Sequence, residues 1–230
     1  MRKQQGGFTL IEIAIVLVII GLLLGGVLKG QELITAARVR NLISTQDGVK
    51  AAYFGFLDRY RALPGDFGAA ATTIPGCNVA PVCQNGNANG QINASGTGTP
   101  AATIDEQNAT WEHLSKAGFI TGNYAYAAGA PAAGSTPTNP YGSFNQLIFD
   151  TVYREGAADA GTSRHNLKTG ANIPSDILAE VDRKVDDGQA GTGTLRHSIF
   201  GASGTFAECT AGTAWAAQTP FANCGAAMLF

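Results

Sequence analysis

Few side chains in this 230-residue chain are placed to do chemistry, and they fall into three groups. One is a carboxylate, Glu12, alone in an apolar run. Another is four cysteines, Cys77, Cys83, Cys209 and Cys224. The last is three aspartates, Asp182, Asp186 and Asp187, just ahead of a glycine-rich stretch. From Phe8 to Leu28 every residue except Glu12 is apolar, glycine or threonine, close to the roughly 20 residues a helix needs to cross a bilayer. An acid near the centre of such a span costs about 2.5–3.5 kcal/mol and is expected to face a partner. The alternative is that Glu12 snorkels to the headgroups of a simple anchor.

The cysteines fit disulfides better than a metal. Their spacings, C-x5-C and C-x14-C, do not resemble a zinc site, and His113, His165 and His197 are not clustered near them. Four cysteines allow three connectivities, of which sequential pairing, Cys77 with Cys83 and Cys209 with Cys224, is preferred. Disulfides imply an oxidising compartment. The aspartates, with backbone carbonyls from Gly188 to Thr194, are the one candidate cofactor site, for calcium, which favours several carboxylate and carbonyl oxygens. The plainer reading is a solvated acidic helix face beside Arg183 and Lys184, with no cofactor at all. No nucleophile elbow, phosphate loop or HExxH motif is present, and Ser163-Arg164-His165 is a chance neighbourhood. An enzyme is therefore not expected. A formal charge of −2 argues against the concentrated basic face that nucleic-acid binding requires, and the one local basic cluster, Arg38 with Arg40, is small.

The elements that must carry these groups begin with the apolar run. No cleavage site of small residues follows it; instead Leu33, Ile34, Leu42, Ile43, Val49, Tyr53, Phe56, Leu57 and Tyr60 recur at helical spacing, with no proline before Pro64. This predicts one helix over Phe8–Ala62, about 80 Å long at 1.5 Å per residue, stopped by Leu63-Pro64-Gly65-Asp66. Arg2 and Lys3 precede the span, which favours a cytoplasmic N-terminus and a head outside the cytoplasm. Residues 67–104 read as a loop ordered by Cys77–Cys83, because they contain little apolar area to bury. Asn93 and Asn108 head N-x-S/T tripeptides, a pattern frequent by chance.

Beyond the loop, a helix is predicted over Asp105–Lys116, ending at Gly118, with His113 at or near the surface. Strands are predicted at Leu147–Tyr153, Asn166–Ile173 and Leu195–Phe200. Between the second and third lies a helix with Ser175 as N-cap and Ile177, Leu178, Val181 and Val185 facing inward, stopped by Gly188. The fold class is α+β: a long N-terminal helix and a globular head with a small antiparallel sheet, one soluble domain being the default for this length.

Gly7-Phe8-Thr9-Leu10-Ile11-Glu12, preceded by basic residues and followed by an unbroken apolar helix, resembles the cleavage and methylation segment of type IV prepilins and type II secretion pseudopilins. The resemblance covers residues 1 to about 40. Leu63-Pro64-Gly65-Asp66, the run from Trp111-Glu112-His113-Leu114 to Gly118-Phe119-Ile120, and the stretch from Val181 to Gly188 also look similar to bacterial pilin-like proteins. It implies a leader over residues 1–7, a helix over 8–63 whose first part (8–28) lies in membrane or filament core, and a head over 64–230. It also implies cleavage after Gly7 by a prepilin peptidase, methylation of the new Phe8 amine, and self-association or assembly with related subunits through Phe8 and Glu12. The inner membrane would hold the subunit by a single pass before assembly, and the filament would lie in the periplasm or at the cell surface. Gly21, Gly25, Gly26 and Gly30 form two small-xxx-small spacings that permit close helix approach. A tethered binding module, whose helix only anchors its head, is the other class of function these residues allow.

Overall fold

The computed structural model describes residues 9–79, 82–158 and 160–230. Gly7 and Phe8 lie outside them. The chain divides into two compact units, one ending at Arg40 and one spanning Asn41–Phe230. Helix α1, Leu10–Tyr60, contributes to both. In the first unit its large apolar residues from Leu10 to Ile34 are exposed all round, Leu10 to 92% and Leu22 to 73%, and Val39 near the unit's end is buried. A helix of this length and composition fits membrane anchoring.

In the second unit α1 turns one stripe inward. Leu42, Gln46, Val49, Tyr53 and Phe56 are all buried, and their alternating spacing of four and three residues keeps them on one face. Phe56 enters a core of Ala52, Ala70, Ile74, Cys77, Cys83 and Leu114, while Tyr53 packs its ring against His165 and Phe230. The helix ends at Tyr60, short of Ala62, because Arg61 takes a positive φ of 53°. Gly65 then turns the chain at φ 86°, and a Cβ on it would lie 2.3 Å from the Glu106 carbonyl oxygen. Both the conformation and the close approach exclude a side chain there.

After the short helix α2 (Ala70–Thr73), the long loop is held by carboxylates as well as by the Cys77–Cys83 bridge. Asp66 accepts the amides of Asn89 (3.0 Å) and Gly90 (2.8 Å). From α3 (Glu106–Lys116), Glu106 accepts those of Asn87 and Asn93, both at 3.0 Å, and Glu112 accepts that of Tyr126 at 3.2 Å. Asp105, at the head of α3, accepts the amides of Ser95 and Gly129 instead of capping the helix. A chain poor in apolar side chains is thus ordered by charge-assisted bonds to its backbone.

His113 is fully buried, contrary to the surface position that pattern alone predicts. Its Nδ1 accepts the Gly65 amide at 2.9 Å and its Nε2 lies 2.8 Å from the Gln84 carbonyl oxygen, which fixes the proton on Nε2. Phe56 stacks on the ring. Almost every side of α3 is enclosed, because loops wrap the faces that a lone amphipathic helix would leave wet. Asn93 and Asn108 are buried as well, and Asn108 donates to the carbonyls of Ala127 and Gly129.

The sheet is antiparallel. Strands β1 (Gln146–Asp150) and β2 (Arg164–Lys168) pair with Ile148 opposite Asn166. Helix α4 (Ser175–Val185), β3 (Leu195–His197), the short α5 (Phe206–Cys209) and the small β4–β5 pair (Thr210–Ala211 with Ala214–Trp215) follow. The last strand, β6 (Ala226–Leu229), inserts between β2 and β3, giving the order β1-β2-β6-β3. The predicted strands are each trimmed. Val152 and Tyr153 leave β1, with Tyr153 buried against Ala227 and Leu229. Ile173 keeps only an isolated bridge to Cys224, and Ser198–Phe200 fall outside β3. Ser175 is the first residue of α4 and does not cap it. Its hydroxyl donates to the Ala216 carbonyl (2.8 Å) and accepts the Phe221 amide (2.9 Å), tying the helix to the last loop.

Candidate functional site

Helix α1 begins with a capping box. Thr9 is the residue before the helix, and Glu12 sits three positions on. The Glu12 Oε2 accepts the Thr9 amide at 2.7 Å and the Thr9 hydroxyl at 2.8 Å, while the Glu12 amide donates to Thr9 Oγ1 at 3.3 Å. Two amides that the helix start would leave bare are satisfied reciprocally. The T-x-x-E spacing carries that signal, although the apolar run draws attention to the charge and away from the cap. In a single chain the carboxylate therefore already has partners, both from its own first turn. All of this lies on exposed surface, and a Cβ at Gly21, Gly25, Gly26 or Gly30 would meet nothing within 4 Å.

The three aspartates do converge: one carboxylate oxygen from each of Asp182, Asp186 and Asp187 lies within 4.8 Å of the others. Their oxygens are largely committed. Asp186 Oδ2 accepts the Thr194 amide, the Thr194 hydroxyl (3.2 Å) and the Leu195 amide (3.1 Å). Asp187 accepts the Gln189 amide at 2.9 Å and the Thr192 hydroxyl at 2.5 Å. Asp182, buried, accepts Trp215 Nε1 at 2.6 Å, which leaves its Oδ1 unpartnered. Burial pushes the Asp182 carboxyl up to about 6, the Trp215 donor opposing it and the charges of Asp187 and Asp186 adding to it. Calcium takes six to eight oxygens. Of these aspartate oxygens, only Asp182 Oδ1 and Asp186 Oδ1 are free of donors among the described residues, and two free oxygens beside a loop already anchored by the others do not fit that demand.

The cysteines form two bridges, Cys77–Cys83 with Cα atoms 4.9 Å apart and Cys209–Cys224 at 5.8 Å. The second ties α5 to the segment entering β6. His197 is buried beside it, against the rings of Phe206 and Trp215. His165 packs on Phe149 and accepts the Ile92 amide. Burial lowers the pKa of each of these two histidines, and of His113, to about 4, so all three are neutral parts of the core. Ser163, Arg164 and His165 do not form a nucleophile–base pair among the bonds of the described residues.

Residues 2–28 match the family model described as the prokaryotic N-terminal methylation motif. The match takes in Gly7, Phe8, Glu12 and the apolar stretch to Leu28, and ends before the head. No curated protein and no solved structure matches the chain.

Proposed function

We propose that this chain, which carries the N-terminal methylation motif of type IV pilins and pseudopilins, is a filament subunit of a type IV pilus or a type II secretion pseudopilus. The observation that carries the reading is the motif itself, with Glu12 at its centre as the lone charge of an apolar helix. The motif is a structural signal and not that of an enzyme family.

Cleavage after Gly7 would expose a positive α-amine at Phe8, four residues before Glu12. In the lone subunit the Glu12 carboxylate is occupied by Thr9, which lessens the cost of carrying it in the membrane. In a filament the carboxylate would turn to the α-amine of a neighbouring subunit, exchanging a neutral donor for a charged one. Such a pair sets register between helices more than it adds raw stability, and the open glycine spacings at Gly21, Gly25, Gly26 and Gly30 let helices approach closely. The head would then lie outside the cytoplasm, where its two disulfides are stable. The three aspartates serve in this reading as anchors of the loop between α4 and β3, not as a calcium site.

The test is direct. Mass spectrometry of the membrane-extracted protein from a host with a prepilin peptidase is expected to find a methylated Phe8 start; an intact Met1 would support a tethered binding module instead. Gly7→Leu is expected to block processing, and Glu12→Ala to reduce recovery in sheared filaments. Normal processing and assembly in both variants refutes the proposal.

A further inference from the structure

An open groove of about 500 Å³ lies on the head between the inner part of α1 and the segments after α3. One wall is the α1 face carrying Asn41, Ser44 and Gly48; the other carries Phe119, Tyr124 and Thr138. Among the described residues no charged side chain lines it. The hydroxyls of Ser44, Tyr124 and Thr138 make no hydrogen bond within the described chain, so their donor and acceptor capacity faces the groove and its solvent.

Its aromatic rings are set in place by glycines. A Cβ at Gly55 would lie 2.9 Å from the Phe119 ring, and one at Gly122 would lie 2.9 Å from the Tyr124 ring. Each ring thus rests against bare backbone. Gly48 is different, since a Cβ there would meet nothing within 4 Å and its backbone is ordinary helix. Glycine inside a helix is less stable than alanine, and nothing in the fold of the head demands it. What the missing side chain does is keep the floor of the groove flat and open.

We propose that this groove binds a neutral oligosaccharide. Free hydroxyls and an amide without charge suit a polyhydroxylated ligand that both donates and accepts. Aromatic rings offer apolar faces to the C–H faces of pyranose rings, with the Tyr124 hydroxyl available at the edge. The volume falls in the range of small-molecule sites and holds two or three sugar units. Assembly into filaments is not required for this site.

The experiment uses the full chain in an amine-oxide detergent, since glycosidic detergents would compete. Maltotriose, cellotriose and N-acetylchitotriose are each tested by saturation-transfer NMR and titration calorimetry. At least one is expected to bind, with transfer strongest to ring C–H protons. Gly48→Leu fills the groove without touching the fold and should weaken that binding at least tenfold, as should Tyr124→Ala, with circular dichroism unchanged. Gly48→Ala should have a smaller effect in the same direction. Absence of binding by all three sugars, or binding that Gly48→Leu leaves intact, overturns the proposal. Loss of filament incorporation in Gly48→Leu without sugar binding by the parent chain assigns the groove to a second copy and overturns it equally.

Discussion

Replacing His113 with phenylalanine tests the idea that a buried imidazole, not packing alone, locks the turn after α1 to the disulfide loop. Phenylalanine keeps a ring of similar size against Phe56 but can neither accept the Gly65 amide nor donate to the Gln84 carbonyl. The Gly65 amide is left buried and unpaired at a cost of about 1–3 kcal/mol, while the carbonyl of exposed Gln84 can turn to water, so the expected loss is about 1–3 kcal/mol, a sizeable part of the roughly 5–15 kcal/mol that holds a domain folded. The titration gives a second readout. With the imidazole pushed from 6.5 to about 4 by burial, the unfolded chain binds a proton that the folded head refuses between those values. Stability from His113 is therefore fully present above pH 6.5 and is lost as pH falls toward 4. A shift of that size corresponds to about 3 kcal/mol. Urea unfolding of the full chain in detergent, followed by the fluorescence of buried Trp111 two residues away, should show the phenylalanine variant weakened at pH 7.5. It should also show a shallower rise of stability between pH 4 and 6.5, His165 and His197 supplying what remains. An unfolding free energy within about 0.5 kcal/mol of the parent, with the same pH slope, refutes this account of the lock.

Glu106 has the opposite sign. Burial pushes its carboxyl from 4.5 up to about 7 against two amide donors that favour the anion, and Asp66 nearby adds to the rise. The folded head holds a proton that the unfolded chain has released, so stability falls as pH rises from 4.5 through 7. Glu106→Gln should remove that fall, and its deficit relative to the parent, measured by the same unfolding assay, should shrink between pH 5 and pH 8. Replacing both Cys209 and Cys224 by serine should cost about 3 kcal/mol and replacing Cys77 with Cys83 about 2 kcal/mol, since the first pair closes the longer loop, 15 residues against 6. Calcium at millimolar concentration should leave the thermal midpoint of the head unchanged, because Asp187 spends both of its oxygens and Asp186 its Oδ2 on loop donors. A rise of several degrees would restore the cation site.

Periodicity in the sequence reveals α1 and α4, because both have to place an apolar stripe against a core, and the Pro64-Gly65 pair reveals where α1 stops. The methylation segment is legible for a different reason: a lone acid in an apolar run is chemically expensive and so stands out. What the sequence hides is polar. The amides that Asp66, Asp105, Glu106 and Glu112 accept lie up to 28 residues away, and a carboxylate aimed at distant backbone reads locally as a solvated charge. His113 is hidden in the same way, since a histidine that bridges two loops has no periodic signature. Strand β6 is hidden by composition. Ala226-Ala227-Met228-Leu229 has no β-branched residue, and its strand identity comes from the vacancy between β2 and β3, not from propensity. Ser175 sits where a cap is expected one residue too late, and the loop at Phe221 claims its hydroxyl.

The placement of β6 also sets an order in time. The β1–β2 hairpin can close as soon as it leaves the ribosome, but β3 has no neighbour in the sheet until β6 arrives. At roughly 5–20 residues per second, synthesis leaves that gap open for several seconds, with strand edges bare and α1 already long complete. Bare strand edges are templates for pairing with other chains. Ala226 and Ala227 are both buried in that closing strand, so a larger side chain there is expected to reduce the yield of mature protein before it alters anything the finished head does.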